Sequence, residues 1–187
     1  MINEELLKES IKNFLISIGE NPERDGLVDT PNRIFKMCKE FEKTQNIDYK
    51  SFSNTNYNDF VLVKNIEFSS FCEHHILPFY GVVHIAYIPD GKVLGLSKLA
   101  RIVDKHSKKL QVQERLTNDI LQDLNTNVKN KGIAILIEAK HMCMTIRGVK
   151  KTSATTVTQL YTGDFKDFSL KQNFLIAISG MNKNELW

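Results

Sequence analysis

The 187-residue chain holds only three cysteines, four prolines, nine glycines and one tryptophan. Three thiols are too few for a disulfide scaffold, and so little glycine and proline excludes collagen-like sequence. An excess of either charge is also missing. Twenty-five Lys and Arg stand against twenty-two Asp and Glu, a net charge of +3. That balance argues against a general nucleic-acid-binding protein, so an anionic ligand must be held by a local basic cluster. No stretch is long and apolar enough to span a bilayer, which points away from a membrane protein. The N-terminus, Met-Ile-Asn-Glu-Glu-Leu-Leu-Lys, has neither the basic nor the apolar region of a signal peptide. The expected compartment is therefore the reducing cytoplasm, where cysteines are buried, catalytic or metal-bound. What is present is ordinary globular composition, 42% hydrophobic and 25% charged, in a length that suits one domain with a real core.

Residues 4–18 carry Leu7, Ile11, Phe14, Leu15 and Ile18 at helical spacing, with Asn3 as cap and Gly19 as terminator. Thr30-Pro31 opens a second helix with the stripe Ile34, Cys38 and Phe41, Thr30 serving as N-cap. Polar residues 44–58 read as a linker. Residues 60–68 and 81–88 read as strands, joined by a loop over 69–78. Ser97 is the expected cap of a helix whose face carries Leu99, Ile102, Val103, His106 and Leu110. A further helix follows with Leu116, Ile120, Leu124 and Val128, then strands at 133–146 and about 153–161. Ser169-Leu-Lys-Gln172 has the form of a capping box before a last helix, although residues 174–178 read equally well as a strand. Hairpins of strands with helices between them predict an α+β fold whose antiparallel sheet carries helices on one face.

Cys72 and His75 are three residues apart, a spacing at which a tight turn aims a thiolate and an imidazole at one point. Cys143, expected on a strand, offers a third ligand, and Cys-His-Cys with one position left for water is the open arrangement that activates water. By spacing alone, a surface turn at Cys72 and a buried Cys143 remain an equal reading. His74 and His141 lie beside these residues and suit proton transfer; as hydrogen-bonded structural histidines they would need no metal. Gly95-Leu-Ser97-Lys98 enters a helix N-terminus, where Ser97, Lys98 and Arg101 add donors for an anion, and Arg147-Gly148 adds a guanidinium. A solvated basic helix face explains the same run. Glu114 suits the N1–H and exocyclic amine of a guanine, but equally suits the dipole at a helix start.

Taken in order, Cys-Glu-His-His at 72–75, Gly-Leu-Ser-Lys-Leu-Ala-Arg at 95–101, Gln-Val-Gln-Glu-Arg-Leu at 111–116 and His-Met-Cys-Met-Thr-Ile-Arg-Gly at 141–148 resemble the GTP cyclohydrolase I family. Thr-Ser-Ala-Thr-Thr at 152–156 and Asp-Thr-Pro-Asn-Arg at 29–33 extend the match from about residue 29 to the C-terminus. The resemblance implies conversion of GTP and water to 7,8-dihydroneopterin triphosphate and formate, the entry to tetrahydrofolate and other pterins. It makes Cys72, His75 and Cys143 the ligands of a zinc ion whose activated water attacks C8 of the purine. His74 and His141 become the proton-transfer residues. Glu114, assisted by Gln113, reads guanine, while Ser97, Lys98, Arg101, Arg147, Arg33 and Lys36 hold the triphosphate. The implied fold is the T-fold, a four-stranded antiparallel sheet with two helices between its hairpins, over residues 51–187 behind an N-terminal helical region, 1–50. Sheets of the family join side by side into an oligomeric barrel, so the resemblance implies a homodecamer with active sites between subunits. A non-catalytic zinc-stabilised T-fold binder of pterin or nucleotide, or another T-fold enzyme acting on a purine-like substrate, are the readings set against it.

Overall fold

The computed structural model describes residues 2–42, 46–53 and 56–180. The chain divides into two compact units, Met1–Gln45 and Asn46–Trp187. In the first, α1 (Glu4–Ser17) starts at Asn3, whose side chain accepts from the Leu6 N–H, and Gly19 leaves the helix with φ of +85°. Helix α2 (Thr30–Glu42) lies against α1, with Leu15 and Phe35 buried in this unit.

The second unit runs β1 (Ser51–Ser53), β2 (Val61–Cys72), β3 (Leu77–Pro89), β4 (Lys92–Leu94), α3 (Ser97–Ser107), β5 (Leu110–Gln111), α4 (Gln113–Asn127), β6 (Asn130–His141), α5 (Met142–Thr145), β7 (Thr156–Tyr161), a 3₁₀ turn (Gly163–Lys166) and α6 (Phe168–Ser179). The main sheet has the order β5-β2-β3-β6-β7. It is antiparallel except for the two-residue parallel pairing of β5 with β2. Two hairpins with α3 and α4 between them make the T-fold. Side chains alternate across β3 and β6. Val83, Ile85, Tyr87, Ile133, Ile135 and Ile137 join one core with Leu99, Ile102 and Val103 of α3 and Leu116, Ile120 and Leu124 of α4. Ala86, Ile88, Ala134 and Leu136 join a second core with Phe165 and with Phe174 of α6. Burial on both faces explains why the middle of these strands reads as an almost unbroken apolar run.

The structure departs from the sequence expectations mainly at boundaries. Pairing of Ser69 with Tyr80, Ser70 with Phe79 and Phe71 with Pro78 carries the hairpin through most of the expected loop and leaves Glu73–Ile76 as the turn. The expected linker contains β1, which pairs with β4; residues 44, 45, 54 and 55 of it lie outside the described residues. The N-cap of α3 is Leu96 without a side-chain cap, so Ser97 is the first helical residue; Leu110 falls outside α3 on β5. Asp167, not Ser169, caps α6 by accepting from Ser169 and Leu170 N–H, and residues 174–178 are helical. Strand β6 ends at His141, and β7 begins at Thr156. No helix of the described residues is long and apolar enough to cross a membrane.

One buried carboxylate ties the start of this unit to its helices. Asp123 of α4 is 3% exposed and accepts from Lys105 Nζ at 2.6 Å, His106 Nε2 at 2.7 Å and the hydroxyl of Tyr49. Burial by itself would raise its pKa. Hydrogen bonds from Lys105, Tyr49 and His106 outweigh that and bring it down to about 2 from the ordinary 3.8. A depressed carboxyl stabilises the fold above its unfolded pKa and loses that contribution as the pH falls through the folded one. Urea unfolding should therefore lose about 2 kcal/mol of stability between pH 4 and pH 2 through this group. Asp123→Asn should flatten that slope and lower stability at pH 6; an unchanged slope would show that the carboxylate is not linked to folding.

Candidate active site

Cys72 is the buried last residue of β2, and its carbonyl accepts from both His75 N–H at 3.3 Å and Ile76 N–H at 2.8 Å. Ile76 takes φ of +53°, an uncommon conformation for a β-branched residue, which turns the chain sharply into β3. Glu73 N–H donates to Gln111 O, so the turn is also fastened to β5. This geometry brings Nδ1 of His74 and of His75 to 3.8 and 3.9 Å from Cys72 Sγ.

Cys143 reaches the same place by a different route from the expected one. The sequence reading places it on a strand. Strand β6 has its last β7 partner at Ala139 and ends at His141. Thr145 Oγ1 then donates to His141 O and Ile146 N–H to Met142 O, winding the chain into the single helical turn α5. One ligand atom from each of Cys72, His75 and Cys143 falls within 4.8 Å of the others. Burial, and next Cys72, push the Cys143 thiol pKa up. Two thiols and an imidazole converging in this way fit a borderline-soft divalent cation such as zinc, whose charge reverses the penalty on the thiolates.

These residues open onto a cavity of about 230 Å³ that is also lined by His74, Gln111, Val112, Gln113, Glu114, His141, Met144 and Thr156. The His141 ring lies flat on Phe79, with centroids 4.7 Å apart and planes within 4°. Burial holds its pKa below the ordinary imidazole value, with Glu114 acting the other way. Glu114 presents an exposed carboxylate from the first turn of α4. Arg147 Nη1 is 2.7 Å from His75 Nε2, which places that guanidinium at the rim of the triad.

Other expected site residues lie elsewhere. Ser97, Lys98 and Arg101 sit on α3 and do not line this cavity within one chain; Lys98 Nζ is 3.9 Å from Asp48. Arg33 and Lys36 are exposed on α2 of the N-terminal unit, where Arg33 pairs with Asp29. Gln113 lines the cavity but is only 1% exposed, with both ends of its side chain bonded inside the protein. Its amide protons point to β6 and β7, and its amide oxygen faces His141.

Sequence reasoning misses three residues that build the site. Glu73 receives both ends of the Arg115 guanidinium at 2.6 and 2.9 Å, tying the Cys72–His75 turn to α4. Hydrogen bonding from Arg115 holds the Glu73 carboxyl below its ordinary pKa. Both residues stand inside quoted motif blocks, but nothing local signals that they meet across 42 positions. Phe79 is missed because an apolar residue in a strand reads as core.

A family profile described as GTP cyclohydrolase I matches residues 7–179. GTP cyclohydrolase 1 of Aquifex aeolicus is 47% identical over 182 residues, spanning 96% of this chain and 99% of that protein. The Clostridium perfringens (strain 13 / Type A) protein of the same name is 47% identical over 184 residues, spanning 96% and 100%. That of Enterococcus faecalis is 48% identical over 177 residues, spanning 92% and 95%.

Removing one donor should abolish tight metal binding without unfolding the chain, since the triad lies at the rim of the main core. Cys143→Ser should bind zinc at least about tenfold more weakly than the parent by competition with a chromogenic chelator. Its far-UV circular dichroism should be unchanged. Zinc affinity equal to the parent's would remove Cys143 from the ligand set.

Proposed function

The chain belongs to the GTP cyclohydrolase I family, and from that premise we propose that it opens the imidazole ring of GTP with water, releasing formate and yielding 7,8-dihydroneopterin triphosphate. The observation that carries this reading is the convergence of Cys72, His75 and Cys143 on one cavity that His74, His141 and Glu114 also line. Zinc is the cation assigned to the triad, and when bound it supplies a Lewis acid that lowers the pKa of a water molecule.

The chain's own residues bind, orient and move protons. Glu114 accepts from guanine N1–H and the exocyclic amine, a donor pair that adenine lacks. His141 and His74 carry protons during attack at C8, loss of formate and the later closure of the pterin ring. Arg147, Ser97, Lys98 and Arg101 hold the triphosphate through charge-assisted contacts, with Arg33 and Lys36 assigned to the same task. A cavity of about 230 Å³ is below the usual size for a ligand as large as a nucleoside triphosphate. The α3 residues stand away from it, so neighbouring copies complete the walls. A homodecamer with active sites between subunits meets that need. The catalytic fold occupies residues 51–187 behind the helical region 1–50, and the enzyme works in the cytoplasm at the entry to tetrahydrofolate and other pterins.

Freshly reduced, zinc-loaded protein should release formate from GTP, with the triphosphate intact in the product. No formate despite bound zinc and GTP would replace the enzyme reading with that of a binding protein, and loss of pyrophosphate would indicate a different cyclohydrolase chemistry. Glu114→Ala should raise KM for GTP about tenfold to a hundredfold, the worth of hydrogen bonds to a charged group. Its bound zinc should be unchanged; an unaltered KM would remove Glu114 as the guanine reader.

A further inference from the structure

Gln113 is the first residue of α4, and its side chain lies between His141 and the β6–β7 pair. Its Nε2 is 3.1 Å from each of Ile137 O, Thr156 O and Thr158 Oγ1. Two of these are carbonyl oxygens, which only accept, so this end of the amide is the NH₂ group. The third is fixed by its neighbours. Thr117 Oγ1 donates its proton to Gln113 O at 2.8 Å and has none left for Thr158 Oγ1, 2.7 Å away. Thr158 therefore donates to Thr117, and the two amide protons of Gln113 are shared among its three acceptors. With these protons placed, the amide oxygen is the end that faces His141 Nε2, at 2.8 Å. An amide oxygen only accepts, so His141 Nε2 must carry a proton. The Phe79 stack fixes the plane of the ring, and the bond to Gln113 fixes which edge faces inward. No hydrogen bond reaches His141 Nδ1 among the described residues.

We propose that Gln113 is a positioning residue that sets the tautomer of His141. The bond to Gln113 holds a proton on Nε2 and leaves Nδ1 without a partner among the described residues. The expected effect on turnover rests on the proposed role of His141; the location of the proton rests only on the hydrogen-bond network. The chemistry also explains why glutamine suits the position. A glutamate would turn a carboxylate oxygen toward two carbonyls, and an asparagine is one methylene too short to span the gap.

The test reads the proton directly. The chain has five histidines, so magic-angle-spinning spectra of protein labelled with ring-¹⁵N histidine can be resolved. His141 is identified by the signals lost in His141→Asn. At pH 8, with and without zinc, His141 should show one form only, protonated at Nε2 and bare at Nδ1. Gln113→Met, which keeps length but neither donates nor accepts a comparable bond, should add a population protonated at Nδ1. In the zinc-loaded variant, kcat for formate release should fall about tenfold or more while KM for GTP stays within about threefold. Three results would overturn the proposal. They are a wild-type His141 protonated at Nδ1, a Gln113→Met spectrum identical to wild type, and a variant whose KM rises with kcat unchanged, the mark of a substrate contact. The wild-type spectrum decides the proton's position even if the variant fails to fold. It also does so if the wild type releases no formate, a result that would count against the functional reading alone.

Discussion

Phe79 stands opposite His141 because β3 and β6 pair antiparallel from one end of the sheet to the other, down to that residue pair. A slip of one residue would turn every side chain of β6 to the opposite face. That slip is opposed by burial on both sides, since Ile133, Ile135 and Ile137 fill one core while Ala134 and Leu136 fill the other. Each large aliphatic side chain so buried contributes about 1.5–3 kcal/mol, and all of them would be misplaced together. Because the register holds, the turn after β2 and the end of β6 arrive at the same end of the sheet, and with them Cys72, His75 and Cys143.

The opposite wall of the cavity depends on polar groups buried with their partners. Gln111 is fully buried; its amide donates to His106 O and Asp119, and its oxygen accepts from Val112 N–H. Gln113, two residues on, is bonded to β6, β7 and His141. Between them they fix the start of α4 to α3 on one side and to the sheet on the other. The Glu73–Arg115 pair adds a link to the metal turn. That pair is exposed and in water contributes little to stability; its effect is on the angle between the turn and the helix that presents Glu114. Glu114 and the Cys72, His75 and Cys143 group thus sit on one frame even though they come from α4 and from two separate hairpins.

Much of this was legible in the residues. The helical stripes of α1, α3 and α4 and the Asn3 cap follow from local preferences. So does the placement of two helices between two hairpins. The four motif blocks supply the donor set Cys72, His75, Cys143 and the histidines beside it. Errors gathered where long-range partners override local signals. Ser69-Ser70 reads as loop, yet it is strand because Phe79 and Tyr80 pair with it. Cys143 reads as strand, yet it is helical because β7 no longer accompanies β6 beyond Ala139. Ser97 reads as a cap, yet the preceding Leu96 holds that place.

Composition, periodicity and motif order by themselves determined the fold class, the order of the main helices and strands and the identities of the metal-type donors, because each is encoded in neighbours a few residues apart. Tertiary structure alone decided what those residues do to one another. Gln113 meets Ile137, Thr158 and His141 across separations of 24, 45 and 28 residues. Nothing nearby in the chain marks it as an internal orienter. Its role is set by the free energy of leaving a buried amide unpaired, which arises only once the sheet has closed around it.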